Sequence, residues 1–259
     1  MTAAGSCKKS MKKNNKKMAV TAAACALVGA LAMGGTMAYL TDIDQETNTF
    51  TVGKVEVDLE EPDYPGNESE DVEDLVPNQE VTKNPQISNT GINEALVFMT
   101  VTVPVKEVTV AAANGTKGEK EATDLFWFKD EKDSLASAAN HWDSTWFQLT
   151  DKEYFTSASG EEADTLEEAA GGSHTYVFAY NQAIANGEKT SALFDKVQLK
   201  NIIENEVTAG EAQNIVVKAY AIQAAEILES GNTDLAETVD ETNMGKIYDI
   251  YLRQNDLAR

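Results

Sequence analysis

The sequence predicts a mainly β protein, an antiparallel two-layer β-sandwich with short helical inserts and a C-terminal helix. After residue 41, short apolar alternations are separated by turn residues and runs of charge, and little sustained 3.6-residue periodicity occurs before the C-terminus. Eight or nine strands of this length suit two packed sheets. The connections lack long helical crossovers, which favours antiparallel over parallel pairing.

The first 38 residues have the layout of an export signal. Six lysines lie within residues 8–17, an apolar run follows over residues 18–33, and two glycines precede Ala38. The lysines stay on the cytoplasmic side while a short apolar helix enters the bilayer, so we expect cleavage between Ala38 and Tyr39. Two alternatives stay open: an uncleaved anchor, although a spanning helix needs roughly 20 apolar residues, and a lipoprotein lipidated at Cys25.

Charge is divided unevenly between the leader and the rest of the chain. The whole sequence has a net charge of −22, but residues 1–41 contain six lysines and no carboxylate. Residues 39–259 therefore carry 15 basic and 43 acidic side chains, a net charge of −28. Such an acidic domain is not a non-specific nucleic-acid binder. Both cysteines, Cys7 and Cys25, lie in the leader, so the predicted mature chain has no disulfide and no thiol.

The predicted strands follow from apolar alternation. Residues 55–60 alternate valine or leucine with glutamate or aspartate, which gives one apolar and one acidic face. Ile87 begins another strand. Residues 95–103 are rich in β-branched side chains and are the predicted central strand, and Pro104 limits how far it can lie inside a sheet. Further strands are predicted over residues 105–110, 125–128, 146–149, 176–180, 194–199 and 215–223.

Helices are expected in three places. Two short ones are predicted as inserts over residues 130–140 and 164–170. The third is at the C-terminus, where helical spacing places four apolar or aromatic side chains on one face. These residues are Met244, Ile247, Tyr248 and Tyr251.

An acidic segment begins within the first predicted strand and continues beyond it, with ten carboxylates between Glu56 and Asp74. Prolines and a glycine interrupt it, which is typical of a solvated loop. Calcium binding is the alternative, because hard cations take clustered carboxylate oxygens, but no D-x-[DN]-x-[DN]-G loop occurs. No other cofactor is expected.

Residues 34–59, GGTMAYLTDIDQETNTFTVGKVEVDL, carry a recognisable signature. The pattern GGT-x-A-[FY]-x-[ST]-D followed by a spaced N-x-F-x-x-G resembles the TasA/camelysin family of exported proteins of Gram-positive bacteria, whose precursors are processed by a SipW-type signal peptidase. Two further parts are similar, residues 75–104 and residues 187–199 together with 214–224. The resemblance indicates one β-sandwich domain over residues 39–259, with an insert around 111–172 that has no counterpart in the family pattern.

The resemblance implies a jelly-roll-like sandwich that assembles into extracellular fibres once the leader is removed. In such a fibre the freed N-terminal segment of one subunit completes the sheet of the next, and an open head-to-tail contact makes a filament. Here the donor candidates are Leu40, Ile43, Phe50 and Val52. The alternative is a disordered N-terminus, because acidic residues interrupt the alternation.

This interpretation also specifies location and partners. We expect a secreted protein of the extracellular matrix or cell surface. Its expected partners are further copies of itself and a SipW-type signal peptidase. Co-exported homologues and cell-wall polymer are further candidates, and nucleic acid is excluded by charge. No catalytic residue is assigned.

A secreted metallopeptidase is the competing function, because camelysin-like members carry that label. The sequence offers two histidines, His141 and His174, and no H-E-x-x-H motif. Hydrolytic zinc usually has two or three imidazole ligands and an open position for water. We therefore expect no metal ligands, and we expect both histidines in loops or at strand edges.

A monomeric surface adhesin or binding module is the third function considered. Its binding surface would come from the tryptophans of the insert, Trp127, Trp142 and Trp146. We predict these side chains first as core aromatics and only second as a surface for glycans or a partner. The chain has no L-P-x-T-G sorting signal.

Overall fold

Strands dominate the computed structural model. The structure describes residues 55–65, 75–132, 139–203, 205–208, 211–225, 227 and 239–257. Within these residues a short 3-10 helix covers Thr150–Lys152. The strands and the one α-helix are β1 (Val57–Glu60), β2 (Glu80–Thr82), β3 (Gln86–Asn89), β4 (Ala95–Ala111), β5 (Lys117–Asp124), β6 (Phe126–Lys129), β7 (Trp146–Gln148), β8 (Tyr154–Thr156), β9 (Glu162–Ala163), β10 (Ser173–Tyr180), β11 (Lys196–Leu199), β12 (Val216–Gln223) and α1 (Glu241–Gln254).

The central strand is β4, which runs for 17 residues. Its β-branched side chains favour an extended backbone, and successive side chains point to opposite faces of the sheet. Its first half pairs with β10 on one side and β12 on the other, and its second half pairs with β5, all antiparallel. The prediction that residues 95–103 form the central strand is confirmed.

Pro104 does not end this strand, and residues 105–110 continue it rather than forming a strand of their own. β12 pairs with β4 as far as Thr102, and β5 pairs with it from Val105 onwards. Pro104 lies in the gap between these two partners, where its carbonyl accepts a hydrogen bond from the Leu125 N–H at 3.1 Å. Its missing N–H therefore costs no hydrogen bond of the ladder.

Two layers of sheet enclose the main core. The seven-stranded sheet has the order β12-β4-β10-β8-β9, with β5 also paired to β4 and β7 to β10. A three-stranded sheet, β2-β11-β6, and the ribbon β1-β3 accompany it. Val101 and Phe178 of the large sheet pack in one cluster with Val81, Phe128 and Val197 of the three-stranded sheet. The predicted mainly β, antiparallel fold is confirmed.

The helix α1 covers the opposite face of the seven-stranded sheet. Asp240 caps it by accepting a hydrogen bond from the Asn243 N–H at 2.9 Å. The Tyr248 ring lies 5.2 Å from the ring of Phe98 on β4. The predicted apolar face is confirmed: it consists of the buried Met244, Ile247 and Tyr248 and the partly buried Tyr251.

Some predicted elements differ from the structure. The predicted helix over residues 164–170 is wrong, because these residues form turns. Gly171 follows them with a φ of +83°, which ends any helical path. Strands β2, β5, β8 and β9 were not predicted. The predicted helix over residues 130–140 lies mostly outside the described residues.

The leader and the donor segment also lie outside the described residues. This applies to the predicted cleavage site at Ala38 and Tyr39, to the donor candidates, and to residues 66–74 of the acidic segment. Across the part of the chain that is described, no helix is both long and apolar enough to cross a membrane. The donor candidates are Leu40, Ile43, Phe50 and Val52.

Candidate functional site

A group of buried charged side chains lies over the central strand. Asp124 of β5 pairs with Val105, and His174 of β10 pairs with Val103. The two strands flank β4 on opposite sides, and these pairings place both side chains on the same face of the sheet. They meet above β4. We name Asp124, Glu153, His174 and Tyr176 the His174 cluster.

The His174 imidazole lies between two carboxylates. Its Nδ1 is 3.2 Å from Asp124 Oδ2, and its Nε2 is 3.4 Å from Glu153 Oε2. The Tyr176 hydroxyl donates to the same Asp124 oxygen at 2.5 Å, and Gln148 Nε2 donates to Glu153 Oε1 at 2.7 Å. His174 and Asp124 are only 6% and 7% exposed. The cluster therefore joins β5, β10 and the segment before β8 through a shielded ion-pair network.

Burial and the two carboxylates act in opposite directions on the pKa of His174. Burial lowers it, but the hydrogen bond to Asp124 and the negative charges of Asp124 and Glu153 outweigh burial and raise the pKa to about 9. Burial and the nearby Asp124 charge raise the pKa of Tyr176 above its ordinary value. At neutral pH the cluster thus holds an imidazolium and a neutral phenol.

Aromatic rings enclose the cluster. The His174 ring lies 4.4 Å from the ring of Phe155 and 4.0 Å from that of Tyr176. Asn140 Nδ2 donates to the Tyr176 hydroxyl at 3.1 Å. Beyond Tyr176 the Trp142 ring follows at 5.4 Å. These rings limit the access of water and so strengthen the ion pairs.

The tryptophans of the insert divide between core and surface. Trp142 packs 4.7 Å from the Phe128 ring and 4.6 Å from the Phe178 ring, and Trp146 is 5% exposed. Trp142 is partly buried but packs against the main core, and Trp146 belongs to that core, so the core interpretation is confirmed for these two. Trp127 is half-buried, with Lys200 Nζ 3.8 Å above its ring. Nothing in the sequence around the three tryptophans indicates which of them lie in the core.

The residues described do not fit a histidine-based zinc centre. His174 is the second residue of strand β10 and has a carboxylate beside each ring nitrogen, which favours the imidazolium and raises the pKa of His174. A zinc ligand must be neutral imidazole. His141 lies in a loop, where its backbone N–H donates to the Phe128 carbonyl at 2.8 Å. No group of three or more His, Cys, Asp or Glu side chains suited to a metal occurs among the described residues.

Lys200 and Asp143 are among the other buried charged groups that the sequence analysis did not predict. Burial lowers the pKa of Lys200 to about 8, and its Nζ donates to the Thr123 hydroxyl at 2.8 Å. Asp143 is 3% exposed and contacts Lys132. Burial raises the pKa of Asp143, but the hydrogen bonds from Lys132 and Thr145 lower it by more. The net pKa is below the ordinary value, and the carboxyl is ionised at neutral pH. Both groups connect loops to the sandwich.

The described half of the acidic segment is engaged with other side chains. Glu60 Oε2 lies 2.5 Å from Lys189 Nζ, and Glu61 Oε2 lies 2.7 Å from Lys83 Nζ. The Asn84 side chain donates to Asp63 at 2.7 Å. These contacts give the calcium interpretation no support among the residues described.

The outer edge of β12 has no hydrogen-bonded partner strand within the described residues, although β1 of another sheet lies near β12. β12 stands at the end of the seven-stranded sheet, where β4 is its hydrogen-bonded neighbour. Val216 at its start is 42% exposed. Along the strand, Val217, Ala219 and Ala221 are half-buried and pack against the main core. The edge therefore presents backbone groups beside an apolar interior.

Fold and site together define a sandwich protein of antiparallel sheets with a buried ion-pair cluster and an open strand edge. The family model described as camelysin metallo-endopeptidase matches residues 13–212. This is more than half of the sequence, so the chain belongs to the TasA/camelysin family, and the resemblance at residues 34–59 is confirmed. No curated protein matches the chain.

Proposed function

We propose that the protein is an exported structural protein of the extracellular matrix or cell surface, a fibre subunit that donates its N-terminal segment to a neighbour. The edge of β12 is the observation that supports this most. An edge strand presents a row of N–H and C=O groups, and an extended segment from another chain can satisfy them. Repeating that contact from subunit to subunit makes an open filament.

The N-terminal segment has the length and pattern that this contact requires. Residues 39–52 can extend over about 46 Å, whereas the eight residues of β12 cover about 26 Å. Phe50 and Val52 are two positions apart and point to the same face of an extended chain. The small side chains of Ala219 and Ala221 leave room at the edge for larger apolar side chains of an added strand.

Removal of the leader would determine when assembly starts. While the apolar segment of residues 18–33 is held in the membrane, the segment that follows it is not free to reach a neighbour. Cleavage by a SipW-type signal peptidase after Ala38 frees the segment from Tyr39 onwards. Co-exported homologues or cell-wall polymer are proposed as further partners of the fibre, and no cofactor is proposed for assembly.

The proposal predicts that filaments depend on the N-terminal segment. The chain of residues 39–259 should form filaments, and the chain of residues 53–259 should stay monomeric, because it keeps the β12 edge but lacks the donor. Negative-stain electron microscopy and size-exclusion chromatography measure the two outcomes. Equal filament formation by both chains would overturn donation of the segment.

Paired substitutions provide the matched control. Phe50→Ser with Val52→Ser removes the apolar side chains and is expected to reduce assembly strongly. Thr49→Ser with Thr51→Ser alters the alternate face and should leave assembly near the unmodified level. A similar loss in both double variants would show that side-chain alternation does not guide docking.

A secreted metallopeptidase is the second candidate, because the matching family model is described as a metallo-endopeptidase. Elemental analysis and a caseinolytic assay with and without chelator separate it from the fibre subunit. Stoichiometric zinc with chelator-sensitive hydrolysis by the purified chain would place the peptidase first. A monomer that forms no filaments and binds glycan would instead support the adhesin.

A further inference from the structure

The His174 cluster connects the short strands β8 and β9 to the rest of the large sheet, with which they share few other contacts. β8 has three residues and β9 has two, and β8 pairs with β10 through His174 and its two neighbours in the strand. We name the antiparallel pair of β8 and β9 the β8–β9 ribbon. It packs on a small apolar cluster whose buried members are Val105, Ala163 and Ala169. Because these apolar contacts are few, polar groups provide much of the attachment of the ribbon to the sheet.

We propose that His174 is a pH-sensitive clamp whose imidazolium fixes the β8–β9 ribbon to the central sheet and releases it on losing its proton. Glu153 comes directly before β8 and lies 3.4 Å from Nε2. Asp124 at the end of β5 lies 3.2 Å from Nδ1. One cation therefore neutralises two carboxylates from opposite sides of β10.

The charged and titratable groups that face the imidazole are few. Asp124 approaches from β5, Glu153 from the segment before β8, and Tyr176 from β10 itself. Lys200 acts on Asp124 from the three-stranded sheet side. Without the imidazolium, Glu153 and Asp124 would be left as anions in a region shielded by Phe155. Leaving a buried charge uncompensated is strongly destabilising.

The sign of the pH dependence follows from the direction of the pKa shift. The folded pKa of His174, about 9, lies above its ordinary value of 6.5. The clamp is therefore fully effective below pH 6.5, and its contribution is lost as pH rises through 9. The opening equilibrium of the ribbon should therefore rise with pH in this range, by at most about tenfold per pH unit. The total rise should stay below roughly 300-fold, because Asp124 remains beside His174 when the ribbon opens.

Release of the ribbon has a defined structural consequence. Thr156 pairs with Ser173, and Tyr154 pairs with Thr175. Opening would leave the backbone groups of β10 in this stretch without their partner strand. An uncovered stretch of an interior strand is a second edge on which another chain can pair.

Hydrogen exchange of residues 39–259 from pH 6 to 10 tests the clamp, with each rate divided by the intrinsic amide rate at that pH. Peptides over residues 153–157 and 173–176 are expected to lose protection along the predicted profile. Peptides from α1 should keep theirs, which distinguishes ribbon release from global unfolding. Uniform loss in all peptides, or no loss in the ribbon, would overturn the proposal.

Two conservative variants and one NMR measurement complete the test. His174→Gln should give a low protection of the ribbon that no longer changes between pH 6.5 and 9, whereas His141→Gln should keep the original profile. If His174→Gln does not fold, the imidazole titration of the unmodified chain decides. A His174 midpoint near 9 supports the clamp, and a midpoint near 6.5 contradicts it.

Discussion

Gly172→Ala is expected to destabilise the sandwich by about 3 kcal/mol or more. An added Cβ would lie 2.0 Å from the Thr156 carbonyl oxygen and 2.5 Å from the Ser157 carbonyl carbon. Both are backbone atoms, so no side-chain rotation can relieve the overlap, and the ribbon must shift away from the sheet. Urea unfolding followed by fluorescence measures the change in the free energy of unfolding.

Gly245→Ala is the matched control and is expected to change stability in the opposite direction. A Cβ at this position in α1 would meet Lys152 Cε at 3.6 Å, an ordinary contact. Alanine is favoured over glycine inside a helix by about 1 kcal/mol. A loss of less than 1 kcal/mol for Gly172→Ala would show that the ribbon does not pack as closely as described.

Trp142→Ala is expected to cost about 3 to 5 kcal/mol in the free energy of unfolding. Its ring centroid lies within 6 Å of four aromatic rings, so its loss removes packing from the largest aromatic cluster found among the described residues. The same urea experiment measures the change. The four partners are Phe128, Tyr176, Phe178 and Phe194.

Trp127→Ala separates the core role of a tryptophan from a surface role. Trp127 is half-buried and its ring lies against Lys200 Nζ, so we expect a loss of about 1 kcal/mol. Equal losses for Trp127→Ala and Trp142→Ala would contradict the division into core and surface residues.

Strands with a strong apolar pattern could be predicted from the sequence. Residues 95–103 and 176–180 are buried on both faces, and their near-continuous apolar runs reflect this. β5 has the sequence KGEKEATD, and most of its side chains are exposed. It is a strand because the second half of β4 supplies its partner, which no local pattern within residues 117–124 indicates.

The His174 cluster was beyond sequence analysis for a related reason. His174 follows two glycines and a serine, which is typical of a loop, whereas the structure places it inside a strand. Its carboxylate partners, Asp124 on β5 and Glu153 in the segment before β8, are distant from it in the sequence. The sandwich topology brings these side chains together. The burial that makes an unpaired charge so costly can be seen only once the order of the strands in the sheet is known.

Engineered disulfides provide the most direct test of N-terminal donation. After removal of the leader the chain has no cysteine, so an introduced thiol can pair only with another introduced thiol. One subunit would carry Val52→Cys, and its neighbour would carry Val217→Cys, Ala219→Cys or Ala221→Cys, the β12 positions whose side chains lie on the core face. Directly opposed residues of adjacent strands lie close enough for a disulfide.

We expect mixed subunits to form a covalent dimer under oxidising conditions for at least one β12 position, and only when filaments form. Lys120→Cys on the exposed strand β5 is the control position and should give no such dimer. Cross-linking that is equal at β5 and β12, or filaments without any cross-link at β12, would contradict donation of the N-terminal segment to this edge.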